Sequence, residues 1–298
     1  MSVHLSRLAS MVCIALLALF GCRSASPPPP AAPAVSMAER AEAQAQKLSD
    51  QGQNWLAAAR AWQLAADRFS LLNDLAGEAL ALHNLAQAEG EMDQLDQAHT
   101  NLQRAANLNQ RIARTNEWWR NQIALLQVEA RSSQTDALQT RFASLGPQAE
   151  RLHSPALRGL FLNELGLWQK GQRDFSKAEH TFTDAEKQFK EARDQYGLAT
   201  IAGNRAELAE AQTDYTASSR LWQEALAKFQ TLSDPPGIAR ALAGQGRALL
   251  AARKDLPEAE ALLRRAAHNF QVLQKPREAA SAAELLAKCL AAQGKANP

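Results

Sequence analysis

From Ser36 onward the chain repeats a small residue, a large apolar residue four positions later, and another small or apolar residue three positions after that. Spacings of four and three put all three side chains on one face of an α-helix. The triplets are Ala58-Trp62-Ala65, Ala98-Leu102-Ala105, Leu138-Phe142-Leu145, Ala178-Phe182-Ala185, Ser218-Trp222-Ala225 and Ala259-Leu263-Ala266, and their leading positions lie 40, 40, 40, 40 and 41 residues apart. A fixed period of this length marks an array of repeated helical units. Phe69, Phe189, Phe229 and Phe270 keep the same step, and Asp74-x-x-Gly77, Asp194-x-x-Gly197 and Asp234-x-x-Gly237 follow as punctuation.

Helix boundaries follow from capping chemistry. Ser36-Met37-Ala38-Glu39 reads as a capping box that opens the first helix. Gly52, Gly90 and Gly171 are expected to close the first helices of hairpins, while Ser154-Pro155 and Asp234-Pro235-Pro236 pair a capping side chain with proline. Glu278 to Gln293 has no helix after it and reads as a C-terminal cap, with fraying expected from Gly294 and a loose tail at 295–298. Small residues at Ala86, Ala98, Gly166 and Ala178 let paired helices approach closely, while Trp62, Phe182 and Trp222 fill the space beside the crossing.

These columns resemble the tetratricopeptide repeat, in a longer variety of roughly 40 residues. The clearest unit is Leu165-Gly166-x-x-Gln169, Phe175-Ser176-Lys177-Ala178 and Phe182-x-x-Ala185, followed by Leu85-Ala86-x-x-Glu89 with Leu95, Ala98, Leu102 and Ala105. The third unit departs, with Leu138 where alanine is expected, and the sixth carries an extra residue at Asp255-Leu256-Pro257. The resemblance implies an all-α, right-handed superhelical solenoid of antiparallel helix pairs over residues 36–294, about six repeats plus a capping helix.

Residues 1–21 read as an export signal, because Leu8 to Phe20 is a 13-residue apolar run, shorter than the ~18–20 residues that span a bilayer. The run ends in Leu19-Phe20-Gly21-Cys22, which resembles the lipobox of bacterial lipoproteins and implies lipidation of Cys22. Cys22 to Val35, rich in proline and alanine, reads as a stiff polyproline tether. In such lipoproteins aspartate after the cysteine retains the protein in the inner membrane; Arg23 stands there, which implies the outer membrane and its periplasmic face. Cleavage leaves Cys289 as a lone thiol in an apolar helix, expected to be a buried small hydrophobe.

A formal charge of +2, with 33 basic and 31 acidic residues interleaved, gives no electrostatic case for nucleic acid. No HExxH, Cys/His ligand spacing or phosphate-binding glycine loop is present, so neither a metal, a cofactor, a small-molecule substrate nor catalytic residues are expected. In arrays of this kind the first helix of each pair lines the concave face. The resemblance therefore nominates Arg40, Lys47, His83, Gln87, Trp119, Arg120, Gln127, Arg131, Asn163, Lys170, Asn204 and Glu207 as groove residues for a protein or peptide partner. Of the adjacent Trp118 and Trp119, one is expected in the core and the other on the surface or in the groove. The Lys/Asn set of relatives that clamp a C-terminal carboxylate is incomplete, and Ala241, Gly244 and Ala248 fit either a second helix or tight internal packing.

The expected function is a non-catalytic protein-interaction scaffold or assembly factor, anchored in the outer membrane and facing the periplasm. Two alternatives stand beside it: an allosteric regulator of a peptidoglycan enzyme, and a cytoplasmic signalling module if the N-terminal signal does not operate.

Overall fold

A computed structural model describes residues 33–51, 54–132 and 135–295; the signal, Cys22, most of the tether, Gly52 and the last three residues lie outside them. Among the described residues there are thirteen α-helices and no strands. They are α1 (Pro33–Gln51), α2 (Trp55–Leu71), α3 (Leu75–Glu91), α4 (Leu95–Arg111), α5 (Thr115–Arg131), α6 (Thr135–Ala149) and α7 (Pro155–Gly171). There follow α8 (Phe175–Ala192), α9 (Gln195–Ala211), α10 (Tyr215–Thr231), α11 (Pro235–Ala251), α12 (Leu256–Val272) and α13 (Pro276–Ala292). Consecutive helices pack as antiparallel hairpins, six pairs closed by α13, and the pairs stack into a tetratricopeptide-like solenoid. No described helix is long and apolar enough to cross a membrane.

The turns are built alike. Asn73, Asp93, Arg173 and Thr213 adopt φ of 55°, 64°, 62° and 64°, and the next residue is the N-cap of the following helix, where Asp74, Asp174 and Asp214 supply a side-chain capping bond and Gln94 does not. The Asp74 carboxylate accepts from the Ala76 and Gly77 N–H groups at 3.1 and 3.0 Å, and the Asp194 carboxylate from Gly197 N–H at 2.9 Å. The aspartate-glycine punctuation also serves packing: a Cβ on Gly77 would stand 2.5 Å from Phe69 Cδ1, and Gly197 and Gly237 lie as tightly under Phe189 and Phe229. The periodic phenylalanine and the periodic glycine are thus two halves of one contact.

Several expected boundaries move. The first helix begins at Pro33, three residues before Ser36, because proline's fixed φ suits a first helical turn. Gly171 is the last residue of α7 as expected, whereas α3 runs one residue past Gly90 to Glu91; after both helices the positive φ falls on a non-glycine residue, Asp93 and Arg173. The strain is offset where Asp93 N–H and Gln94 N–H donate to Gly90 and Glu89 carbonyls at 3.1 and 2.9 Å. Asp234 makes no side-chain capping bond, whereas the Ser154 hydroxyl accepts from Leu157 N–H at 3.4 Å. Lys295 is tied down, its N–H donating to the Leu290 carbonyl at 2.9 Å and its ammonium to Glu260 at 2.7 Å.

The small-residue columns form close crossings. Phe182 lies on Gly166, where a Cβ would approach within 2.5 Å, and Ala178 opposite is fully buried. Gly244 sits under Trp222 and Gly246 under Leu263, which resolves the alanine-rich stretch of α11 as tight internal packing. Cys289 is buried in the last hairpin's core, its thiol 3.4 Å from the Leu256 carbonyl. The superhelix also returns on itself: Lys275, before α13, reaches Glu91 across 184 residues at 2.7 Å, and Arg277 stands 4.0 Å from Asp93.

The third pair is built differently. Where the fourth sets Gly166 against Ala178, the third sets Leu126 against Leu138, each the same twelve residues apart. Two leucines cannot share a crossing made for glycine and alanine, and α6 makes the sparsest helix packing of the array. The widened space is filled by Trp119, Phe142, Phe161 and Trp168, with ring centroids 5.4–5.9 Å apart in successive contacts. A fully buried carboxylate, Glu129, holds the pair by accepting from Arg141 Nη2 at 2.6 Å and Nε at 2.9 Å, with His99 at 3.2 Å.

Candidate functional site

Polar side chains on successive first helices hold one another. His83 Nδ1 on α3 accepts from Asn121 Nδ2 on α5 at 2.9 Å, and Asn109 donates to Asn121 Oδ1 at 2.8 Å. Gln127 on α5 donates to Glu164 on α7 at 3.0 Å. Asn204 on α9 donates to Asn163 on α7 at 2.7 Å, and Lys170 meets Glu207 at 2.7 Å. Arg247 on α11 forms a two-pronged bond to Glu210 on α9 at 2.7 and 2.8 Å. The result is a ladder running from α3 to α11.

The sequence-nominated residues therefore divide. His83, Gln127, Asn163, Lys170, Asn204 and Glu207 are rungs of the ladder, with Asn163 and Asn204 only 5% and 4% exposed. Arg131 donates to the Gly90 carbonyl at 2.9 Å and to Asp93 at 3.1 Å, bracing α5 to the turn after α3. Arg40, Lys47, Gln87 and Arg120 are exposed. Trp119 is not a groove residue: it is 3% exposed, packed edge-on against Trp118 and Phe161, and the half-buried member of the pair is Trp118.

The reading of the sequence missed Asn121, Glu164, Glu210 and Arg247. A signal existed, because Gln127–Glu164, Lys170–Glu207 and Glu210–Arg247 are each separated by 37 residues. That offset is one repeat less about one helical turn, which places a side chain beside its neighbour on the adjacent first helix.

Between α5, α6, α7 and α9 a cleft of about 630 Å³ opens. Leu126, Leu138, Phe142, Leu167 and Trp168 form its apolar wall, and Gln127, Asn163, Glu164 and Asn204 its polar side. It coincides with the third pair, where the two leucines hold α6 away. Burial pushes the Glu164 carboxyl above its usual range, only partly opposed by the Gln127 and Asn163 amides at 3.0 and 3.2 Å. A second cleft of about 460 Å³ is lined by Gln46, Trp55, Gln87, Leu102 and Arg131. Beside it, burial and then Arg120 lower the His83 imidazole to about 4, so it is neutral at pH 7.

No family model matches the chain, and no curated protein is similar to it. Solved structures share the fold. A Rap protein complexed with Competence and Sporulation Factor superposes with a TM-score of 0.59 at 15% identity, covering 84% of this chain and 72% of that one. A signal transduction ATPase with numerous domains, carrying a tetratricopeptide repeat sensor, from Pyrococcus horikoshii gives 0.60 at 16% identity over 88% of this chain and 39% of that one. Aspartyl phosphate phosphatase F from Bacillus subtilis gives 0.58 at 14% identity over 85% and 68%. The chain thus has a tetratricopeptide-like helical-repeat fold.

Proposed function

We propose that this protein is a non-catalytic scaffold that holds an extended segment of a protein partner along its concave face. The observation that carries the reading is the continuous polar ladder of the first helices opening onto the 630 Å³ cleft. Amide and charged side chains at its edge match the donors and acceptors of an extended backbone, and the apolar wall matches side chains. A Rap protein of the same fold is complexed with Competence and Sporulation Factor, which supports a bound partner for this chain. Helix starts at Trp55, Leu95, Thr135, Phe175, Tyr215 and Leu256 support repeats of about 40 residues.

The same reading tethers the scaffold by a lipid on Cys22 to the outer membrane, facing the periplasm, on the strength of Leu19-Phe20-Gly21-Cys22 and Arg23. A photo-crosslinking residue at the exposed groove position Gln87 is expected to capture a defined partner, while one at exposed His180 on α8 captures none. Equal labelling from both sites refutes the concave-face reading. Membrane fractionation of wild type and Cys22→Ala tests the tether: loss of outer-membrane association in the variant is expected, and a cytosolic wild type overturns it in favour of a signalling module.

A further inference from the structure

The cleft of the third pair holds a carboxylate without a cation. Glu164 accepts from two neutral amides, Gln127 at 3.0 Å and Asn163 at 3.2 Å, and no described basic group lies within ion-pair distance of it. The arginines that line the same cleft are engaged elsewhere. Arg131 bonds Gly90 and Asp93, and Arg240 stacks over the Trp222 ring at 5.8 Å. Glu207 is matched by Lys170, Glu210 by Arg247 and Glu129 by Arg141, whereas buried Glu89 on α3, like Glu164, accepts only from a neutral amide, that of Asn101. Glu164 differs from Glu89 in lining the 630 Å³ cleft, beside its apolar wall.

A half-buried carboxylate with no cation beside it has lost part of its hydration, and a ligand cation would offset that loss. The surrounding shape narrows the choice. Leu138, Phe142 and Trp168 offer apolar and aromatic surface, which suits a long aliphatic stem carrying a charge at its tip. We propose that this cleft receives a lysine or arginine side chain of the bound peptide, with the stem on Leu138, Phe142 and Trp168 and the cation at Glu164. The proposal rests on the concave-face reading above and gives that face its specificity: a basic residue at one fixed position of an extended segment. The cleft exists because Leu126 and Leu138 hold α6 off, so the departure of the third repeat from its pattern creates the pocket.

The test uses the full chain and end-blocked decapeptide pools, randomised except for a fixed central lysine, arginine, norleucine or glutamate, with binding read by fluorescence anisotropy. Lysine and arginine pools are expected to bind about tenfold more tightly than the norleucine pool, the scale of one charge-assisted hydrogen bond. Glu164→Gln, which keeps size and amide bonding, is expected to abolish that preference while leaving the norleucine pool unchanged. Equal binding of lysine and norleucine pools to wild type, or a preference that survives Glu164→Gln, overturns the proposal and leaves the scaffold reading standing. Binding of no pool defeats both.

A second readout does not depend on peptide. Because burial raises the folded-state pKa of Glu164, its contribution to stability is present at acid pH and lost as pH rises. Glu164→Gln is therefore expected to melt higher than wild type at pH 7, with the difference vanishing near pH 4, the ordinary carboxylate range. A variant that melts lower at pH 7 shows that the carboxylate is already compensated, and the proposal fails.

Discussion

The third and fourth helix pairs occupy equivalent places in the same array and are held together by opposite means. In the fourth, Gly166 and Ala178 let α7 and α8 meet, and Phe182 covers the junction. In the third, Leu126 and Leu138 keep α5 and α6 apart, and the connection passes through the buried Glu129–Arg141 pair and a cluster of aromatic rings. Close apolar packing yields a rigid crossing with nothing left over. Standing the helices apart yields a cleft, and requires an ionic clamp to keep the pair in place.

The largest test of this contrast removes the clamp. Arg141→Ala strands Glu129 in the core with His99 as its remaining hydrogen-bond partner, and is expected to cost about 3–5 kcal/mol in chemical denaturation. The paired replacement Glu129→Met with Arg141→Leu should recover most of that loss. If the single variant is as stable as wild type, the third pair is held by its aromatic rings alone.

Next in size is a transplant in the other direction. Ala178→Leu gives the fourth pair the residue of the third, and is expected to destabilise by about 1–3 kcal/mol through overpacking against Gly166 and Phe182. Spin labels on α7 and α8 should report a longer and broader distance distribution. An unchanged melting temperature would reject the assigned register.

A smaller effect separates the polar ladder from both pairs. His83 must be neutral to accept from Asn121, and burial lowers its folded-state pKa to about 4. Its contribution to stability is present above the ordinary histidine value, about 6.5, and is lost as pH falls through about 4. The loss of stability with acid over that window should be shallower in His83→Gln than in wild type. The smallest effect is expected where the superhelix closes on itself. Lys275→Ala removes an exposed ion pair to Glu91 worth about 0–1 kcal/mol, and small-angle scattering should show a slight, salt-dependent expansion.

Much of this architecture was legible from residue spacing. The 4-and-3 pattern fixed which face of each second helix is buried, and Trp62, Phe182, Trp222 and Leu263 are all at 1% exposure or less. Cys289 is buried as its apolar setting implied. The groove was read only in part. Seven nominated residues, Arg131 among them, take part in contacts between first helices or to the turn after α3, and Trp119 went to the core because α6 left room for it. Glu164 escaped notice because nothing in its local sequence separates a solvated glutamate from one that accepts from Gln127, 37 residues away on α5, as well as from its neighbour Asn163.

Periodicity, side-chain size and turn chemistry are local quantities, so the sequence by itself determined the helices, the paired crossings and the order in which they stack. The fate of each polar side chain was decided by the tertiary structure. Burial and hydrogen bonding depend on what the neighbouring repeat brings alongside, 37 residues away for Gln127 and Glu164 and 184 away for Lys275 and Glu91. A leucine at position 138 announces that something differs in the third repeat; only the stacked array shows that the difference is a cleft with an unpaired carboxylate beside it.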